Sequence, residues 1–156
     1  MIQIEIPGRE IMRIENLLLD YNGTLATDGM LIPGTEDLLR QLSKILKIYV
    51  ITADTFGTVE AALLGLPLSV IRLDSPDERN EKLEKAYDLG PNATIAIGNG
   101  KNDALMLREA VIGICIIGSE GCASETLAAS DIVVHDILDA LQLLLNPTRI
   151  KATLRY

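Results

Sequence analysis

Short aliphatic runs alternate along this chain with longer amphipathic stretches, and Gly, Pro, Ser or Asp punctuates most of the joins. The runs predict strands at 2–6, 14–20, 48–52, 68–73, 94–97, 112–116 and 132–134. The amphipathic stretches predict helices at 35–46, 58–64, 76–89, 102–108, 123–128 and 137–145. Several joins carry explicit helix chemistry. Gly34-Thr35 followed by Asp37, and Ser75-Pro76 followed by Asp77 and Glu78, read as helix starts, whereas Gly90-Pro91 reads as a stop. Leu138, Leu141, Leu144 and Leu145 place an apolar, core-facing stripe on the helix over 137–145. Strands that are aliphatic throughout, alternating with helices over short connections, predict an α/β fold with a mostly parallel central sheet. With no repeat or linker in view, residues 1–156 read as one domain, in which 26–33 forms a short glycine-bearing flap.

Composition narrows the picture. A chain of 156 residues can bury a real core, and with one Phe, four Tyr and no Trp that core must be aliphatic. The formal charge of −8 argues against nucleic acid or an anionic membrane as main partner. No apolar run approaches the ~20 residues of a membrane span, and residues 1–10 do not resemble a signal peptide. Cys115, Cys122 and the single His135 form neither a disulfide framework nor a metal-type cluster, so both cysteines read as reduced core residues of a cytoplasmic protein. Arg149, Lys151 and Arg155 read as the solvated basic end of a helix, in a tail over 147–156.

The candidate chemistry collects at strand ends, where open α/β sheets bind their ligands. The run Leu17-Leu18-Leu19 ends in Asp20-Tyr21-Asn22-Gly23-Thr24. Taken alone, Asn22-Gly23 between apolar runs reads equally well as a hairpin turn. The run over 48–51 ends in Thr52-Ala53-Asp54, where Thr52 reads as an ordinary strand end or a ligand, and Asp54 as a site acid or a helix cap. The run over 95–97 ends in Gly98-Asn99-Gly100-Lys101-Asn102-Asp103. Lys82, with Lys85 as the alternative, lies on a stretch that also reads as a solvated Glu–Lys helix face. An acid, a hydroxyl, a lysine and a glycine-loosened polar loop at one sheet edge suit a phosphate group and a hard divalent cation.

In these motifs and their order, the chain resembles the haloacid dehalogenase superfamily, and within it the phosphorylation domain of P-type ATPases and short soluble ATPase-like proteins. The likeness continues through Val111-Ile112-Gly113-Ile114 and Ala129-Ser130-Asp131-Ile132-Val133, and spans roughly residues 15 to 140. The resemblance implies a three-layer Rossmann-like fold, here without a cap domain. It implies a nucleophilic Asp20 that forms an aspartyl-phosphate, with Thr52 and Lys82 as its catalytic partners. It implies phosphate contacts from Asp20, Gly23, Thr52, Ala53 and Lys82. It further implies Mg²⁺ held by Asp20, the backbone carbonyl of Asn22, and Asn99 and Asp103 of the 99–103 loop. The substrate would be a small phosphorylated molecule. A capless site would be open to solvent or covered by a neighbouring copy, which is compatible with a homo-oligomer.

Two departures bear on mechanism. Asn22 stands where most phosphatases of that superfamily carry a general acid, and Asn99 stands where its motif carries a metal-ligating aspartate. An amide cannot exchange a proton, and acid–base help is typically worth about 10² to 10⁴ in rate. The expectation is a slow Mg²⁺-dependent phosphohydrolase that favours aryl, acyl or nucleotide diphosphate leaving groups and accumulates phosphorylated Asp20. The alternative is a non-catalytic phosphate- or cation-binding regulatory module. A phospho-accepting receiver is a third reading, but no adjacent acidic pair follows the first strand.

Overall fold

The computed structural model describes residues 1–155. In chain order its strands are β1 (Ile2–Ile4), β2 (Met12–Ile14), β3 (Asn16–Asp20), β4 (Ala26–Thr27), β5 (Met30–Leu31), β6 (Lys47–Thr52), β7 (Ser69–Arg72), β8 (Thr94–Gly98), β9 (Ile112–Ile116) and β10 (Ile132–Val134). Its helices are α1 (Thr35–Leu42), α2 (Thr58–Ala62), α3 (Glu78–Leu89), α4 (Ala104–Glu109), α5 (Ser124–Ala129), α6 (Ile137–Leu145) and α7 (Pro147–Leu154). Single 3₁₀ turns occupy Pro91–Ala93 and Lys101–Asp103.

Six parallel strands form the central sheet in the order β10-β9-β8-β3-β6-β7. Strands β3, β8 and β9 are buried at every position because helices cover both faces. Side chains alternate between the two cores with the period of the pleat. Leu17, Leu19, Ile95 and Ile97 face one core with Leu39, Leu42, Leu141 and Leu144 of α1 and α6. Leu18 and Ala96 face the other with Ala86 of α3 and Met106 and Leu107 of α4. The result is three layers, helix–sheet–helix, as expected from the sequence. After β3 the chain builds β6 and β7 on one side, then returns to place β8 on the other. The carboxyl end of β3 is therefore the topological switch point of the sheet, where α/β folds open a crevice.

The fold departs from the sequence reading in four places. The run over 14–20 is broken at Glu15, whose N–H donates to Ala93 and whose carbonyl accepts from Lys47. Residues Met12–Ile14 instead pair antiparallel with Ile2–Ile4, so the first strand belongs to a separate hairpin and not to the sheet. The expected basic tail over 147–156 is helix α7, started by Pro147 and docked through the fully buried Ile150; Tyr156 lies outside the described residues. Arg149, Lys151 and Arg155 are exposed. Finally, Cys115 and Cys122 are joined as a disulfide and are not free thiols. Gly118 and Gly121, at φ +53° and +80°, reverse the chain after β9 and return Cys122 to the strand end.

Among the described residues no helix is long and apolar enough to cross a membrane. The flap expected over 26–33 is a small antiparallel pair, β4 with β5. Its tip is tied down, because the N–H of Asp28 donates to Glu120 at 2.9 Å.

Candidate active site

The end of β3 delivers Asp20 into the crevice, 7% exposed and flanked by β6 and β8. The chain then turns at once. Thr24 and Ala26 donate their N–H groups to the carbonyl of Tyr21, and Gly23 donates to the carbonyl of Ala26. Gly23 sits at φ +78°, and a Cβ there would come within 2.4 Å of the Asn99 amide. The left-handed backbone favours glycine, and a Cβ would also push the Asn99 side chain from its place. The turn lies inside the site, so the hairpin alternative for Asn22-Gly23 is not what forms between β3 and the flap. Because the Gly23 N–H is already committed, this residue shapes the turn without leaving that donor for a phosphate. Asn22 is exposed at the rim.

Lys82 arrives from α3. Asp77 caps that helix by accepting from the N–H of Asn80. Lys82 and Ala86, one turn apart, form its buried inner face. The Lys82 ammonium donates to Asp20 Oδ1 at 2.7 Å and to Asp103 Oδ1 at 2.6 Å, with the side chain only 2% exposed. Lys85 pairs instead with Asp88 at 3.8 Å, away from the site. The helix face that reads as a solvated Glu–Lys ladder is thus interrupted by one lysine turned inward.

Asp103 is fully buried, and its oxygens are engaged. Oδ1 accepts from Lys82, while Oδ2 accepts from the N–H groups of Asn99 at 3.0 Å and Gly100 at 2.9 Å. A Cβ on Gly98 would stand 2.5 Å from that Oδ2, so the approach also needs glycine. This acid shapes the loop and holds the lysine. On the far side of the loop, the carbonyl of Asn99 accepts from the N–H of Ala123 at 2.9 Å, and the carbonyl of Gly100 accepts from the Thr126 hydroxyl at 2.6 Å. Thr126 and Ala123 carry no chemical signature in the sequence that marks them as site-building residues. Asn102 donates to Glu78 at 2.6 Å, tying the same loop to the start of α3.

Charge inside the crevice is unbalanced. Two carboxylates share one ammonium. Burial, reinforced by the neighbouring Asp103 carboxylate, pushes Asp20 up to about 7, against the opposing pull of Lys82 and of the Thr24 hydroxyl. Burial disfavours the Lys82 ammonium, but the two carboxylates outweigh it and hold its pKa above the ordinary lysine value. Two buried acids against one ammonium, with Asp20 held above its ordinary carboxylate value, make an electrostatic setting that a bound cation would relieve.

The donors fit a hard cation in type and only weakly in charge. Thr24 Oγ1 lies between Asp20 Oδ2, 3.2 Å away, and Asn99 Oδ1, 3.4 Å away, so these oxygens converge. Asp20 is the one charged oxygen donor among them, and among the described residues no three His, Cys, Asp or Glu side chains cluster as a metal site. Oxygen donors of this kind suit Mg²⁺, which keeps several waters and takes only one or two carboxylates.

On the other side of Asp20, Thr52 closes β6 with its side chain buried, and its hydroxyl accepts from the N–H of Asp54 at 3.1 Å. Ala53 is exposed. Asp54 is a helix cap, accepting from the N–H groups of Phe56 and Val59 and from the Thr58 hydroxyl. Those backbone donors lower its pKa to about 2. Further out, Gly113 and Asp131 are architectural. Asp131 accepts from the N–H of Gly113 at 2.8 Å, and Gly113 leaves room for the carbonyl of Leu107.

No known family profile matches the chain. An uncharacterized protein of Methanocaldococcus jannaschii is 58% identical over 74 residues, which make up 47% of this chain and 80% of that protein. Among solved structures, 3-deoxy-D-manno-octulosonate 8-phosphate phosphatase from Moraxella catarrhalis, crystallised with magnesium, phosphate and KDO, superposes with a TM-score of 0.71 at 19% identity. The superposition covers 86% of this chain and 87% of that one. The catalytic domain of the CPx-ATPase CopB-B matches at 26% identity and a TM-score of 0.58, over 73% of this chain and 45% of its own. The structural neighbours are thus haloacid dehalogenase superfamily phosphatases and a P-type ATPase catalytic domain. This chain belongs to one family with the M. jannaschii protein, built on the Rossmann-like fold of the haloacid dehalogenase superfamily.

Proposed function

We propose that the chain is a slow phosphohydrolase in which Asp20 attacks a phosphoryl group and carries it as an aspartyl-phosphate. The observation that supports this most is the buried bridge from Lys82 to both Asp20 and Asp103. A lysine held 2% exposed between two acids has no role as a solubilising residue. At that place it neutralises the attacking carboxylate and then the phosphoryl oxygens. The fold of phosphatases that act on small phosphorylated molecules agrees with this reading.

Each residue then has a part. The Asp20 oxygen forms the new bond to phosphorus as the bond to the leaving oxygen breaks. Lys82 keeps its proton throughout and offers charge, while Asp103 holds it in place. The Thr52 hydroxyl and the Ala53 backbone line the phosphate side. Asp20, the Asn22 carbonyl and Asn99 would hold Mg²⁺, which would offset charge on the phosphoryl oxygens. Asn22 reaches the leaving oxygen's side of the site but has no proton to give. Leaving groups that depart as stable anions, such as acyl and aryl phosphates, are therefore the preferred donors.

Intact mass spectrometry after incubation with acetyl phosphate and Mg²⁺ tests the proposal. A phosphoryl adduct is expected, lost in Asp20→Asn. Absence of both adduct and turnover, with every donor class, would overturn it. A second reading has one observation in its favour: of the oxygens that converge on the Thr24 hydroxyl, those of Asp20 and Asn99, only Asp20 brings charge, which suits a module that binds phosphate or a cation without turnover. Recovery of turnover in Asn22→Asp separates the two.

A further inference from the structure

We infer that the Cys115–Cys122 pair is a redox-sensitive tether that sets the order of segment 117–123 and, through it, the placement of Asn99 and of the flap. The inference about the cation rests on the proposed function; the inference about the tether does not.

The geometry is local and complete. Cys115 lies in β9 directly beside Gly98, its register partner in β8 and the residue before Asn99. Cys122, seven residues on, is bonded to it. The residues on either side of Cys122 both hold Asn99. The carbonyl of Gly121 accepts from the Asn99 side-chain amide at 3.0 Å, and the N–H of Ala123 donates to the Asn99 carbonyl at 2.9 Å. The same segment holds the flap, since Glu120 accepts from the N–H of Asp28. Without the sulfur bond, segment 117–123 is anchored by backbone bonds from Ile117 and Gly118 to Val134 and His135, and by the Asn99 contacts themselves. Ser119 and Glu120 are exposed, and two left-handed glycines give this stretch wide backbone freedom. A cross-link here removes freedom from the segment that fixes both walls of the site.

The pair is also asymmetric in access. Cys115 is fully buried, whereas Cys122 is half-buried and approachable. An external dithiol supplies the electrons. Its thiolate attacks Sγ of Cys122, and the bond to Cys115 breaks with Cys115 leaving as a thiolate that takes up a proton. The reagent's second thiol then displaces Cys122 from the mixed disulfide. Two electrons and two protons pass to the chain, and the reagent ends as a disulfide. Oxidation by a small-molecule disulfide is the reverse.

The test uses the whole protein in three forms: oxidised, reduced with excess dithiothreitol, and Cys122→Ser. Hydrogen exchange is followed over 26–31 and 117–123, and Mg²⁺ binding is measured by calorimetry. The expected result is faster exchange in both segments on reduction and in Cys122→Ser. With it goes Mg²⁺ affinity about 10-fold weaker, the scale on which loss of an outer partner of a metal ligand acts. Identical exchange in the oxidised and reduced forms overturns the tether. So does a native protein whose two thiols titrate as free after oxidant treatment. Mg²⁺ bound equally in both forms removes the link to Asn99. If Mg²⁺ binds neither form, the cation reading falls, and the exchange result alone decides the tether.

Discussion

The Nζ atom of Lys82 stands 2.7 Å from Oδ1 of Asp20, across 62 residues of sequence and beneath a nearly closed surface. The same ammonium reaches Asp103, so one positive charge is shared by two buried acids. This arrangement is costly without its partners, because a buried charge left alone loses its solvation and gains nothing. The bridge therefore couples the stability of the sheet edge to the chemistry proposed there.

Replacing Lys82 with methionine leaves Asp20 and Asp103 buried together without compensation. Unfolding in urea at pH 8 is expected to show a loss of about 3–5 kcal/mol. Adding Asp103→Asn to that variant should recover part of the loss, since one of the two stranded charges is removed. Equal stability of Lys82→Met and the parent protein would mean the ion bridge is not formed in solution.

Asp20 sets a pH dependence whose sign is opposite to the common one. Its folded-state pKa, near 7, lies above the ordinary carboxylate value of 3.8. The folded protein then binds the Asp20 proton more tightly than the unfolded chain does. Stability from this group is present below about pH 4 and is lost as pH rises towards 7. The metal-free protein should lose stability over that window, and Asp20→Asn should flatten the slope while raising stability above pH 7. A parallel titration with Mg²⁺ should show proton release below pH 7, because the cation and the proton compete for the same carboxylate.

Asp54 gives the opposite limb. Its pKa of about 2 lies below the ordinary value because Val59, Phe56 and Thr58 donate to its ionised form. Stability from this cap is present above about pH 4 and is lost as pH falls through 2. Acid unfolding of Asp54→Asn, followed by circular dichroism, should lack that component.

Gly113→Ala tests the packing of α4 on β9. The added Cβ would lie 2.3 Å from the carbonyl oxygen of Leu107, a backbone atom that cannot turn aside. A loss of about 1–3 kcal/mol is expected from overpacking, with the helix displaced from the sheet. Thermal unfolding at the parent's temperature would refute the close approach.

Asn22→Asp tests the missing acid. Asn22 is exposed at the rim, and under the proposed function a carboxyl there would protonate a leaving oxygen and later activate water. Steady-state hydrolysis of an alkyl phosphate should rise by about 10²- to 10⁴-fold, with a much smaller gain for an aryl phosphate. A uniform change across both substrates would place the effect elsewhere.

Much of this architecture was legible in the chain. Leu17-Leu18-Leu19-Asp20 predicts a strand buried on both faces, and so it lies, because each successive leucine meets a different helical layer. The helix over 137–145 falls where its apolar stripe places it, and the structure adds Asp136 as its cap, accepting from the N–H of Asp139. The run over 14–20 misled, since nothing local marks Glu15 as the residue whose backbone bonds belong to Ala93 and Lys47. The terminal segment misled because its exposed cations outweigh Ile150 and Leu154, the apolar residues that pack it against the core. The cysteines misled because their spacing does not reveal two glycine-permitted reversals between them.

The sequence by itself determined the periodicities, the turns and the types of group available at each strand end, since these depend on residues close along the chain. Tertiary structure alone brought Lys82 and not Lys85 to Asp20, made Asp54 a cap, and occupied both oxygens of Asp103 with the lysine and its own loop. It also recruited Thr126 to hold Gly100. Those outcomes depend on which groups meet across the crevice at the switch point. Such meetings are fixed by helix placement and desolvation, and no pattern along a single segment encodes them.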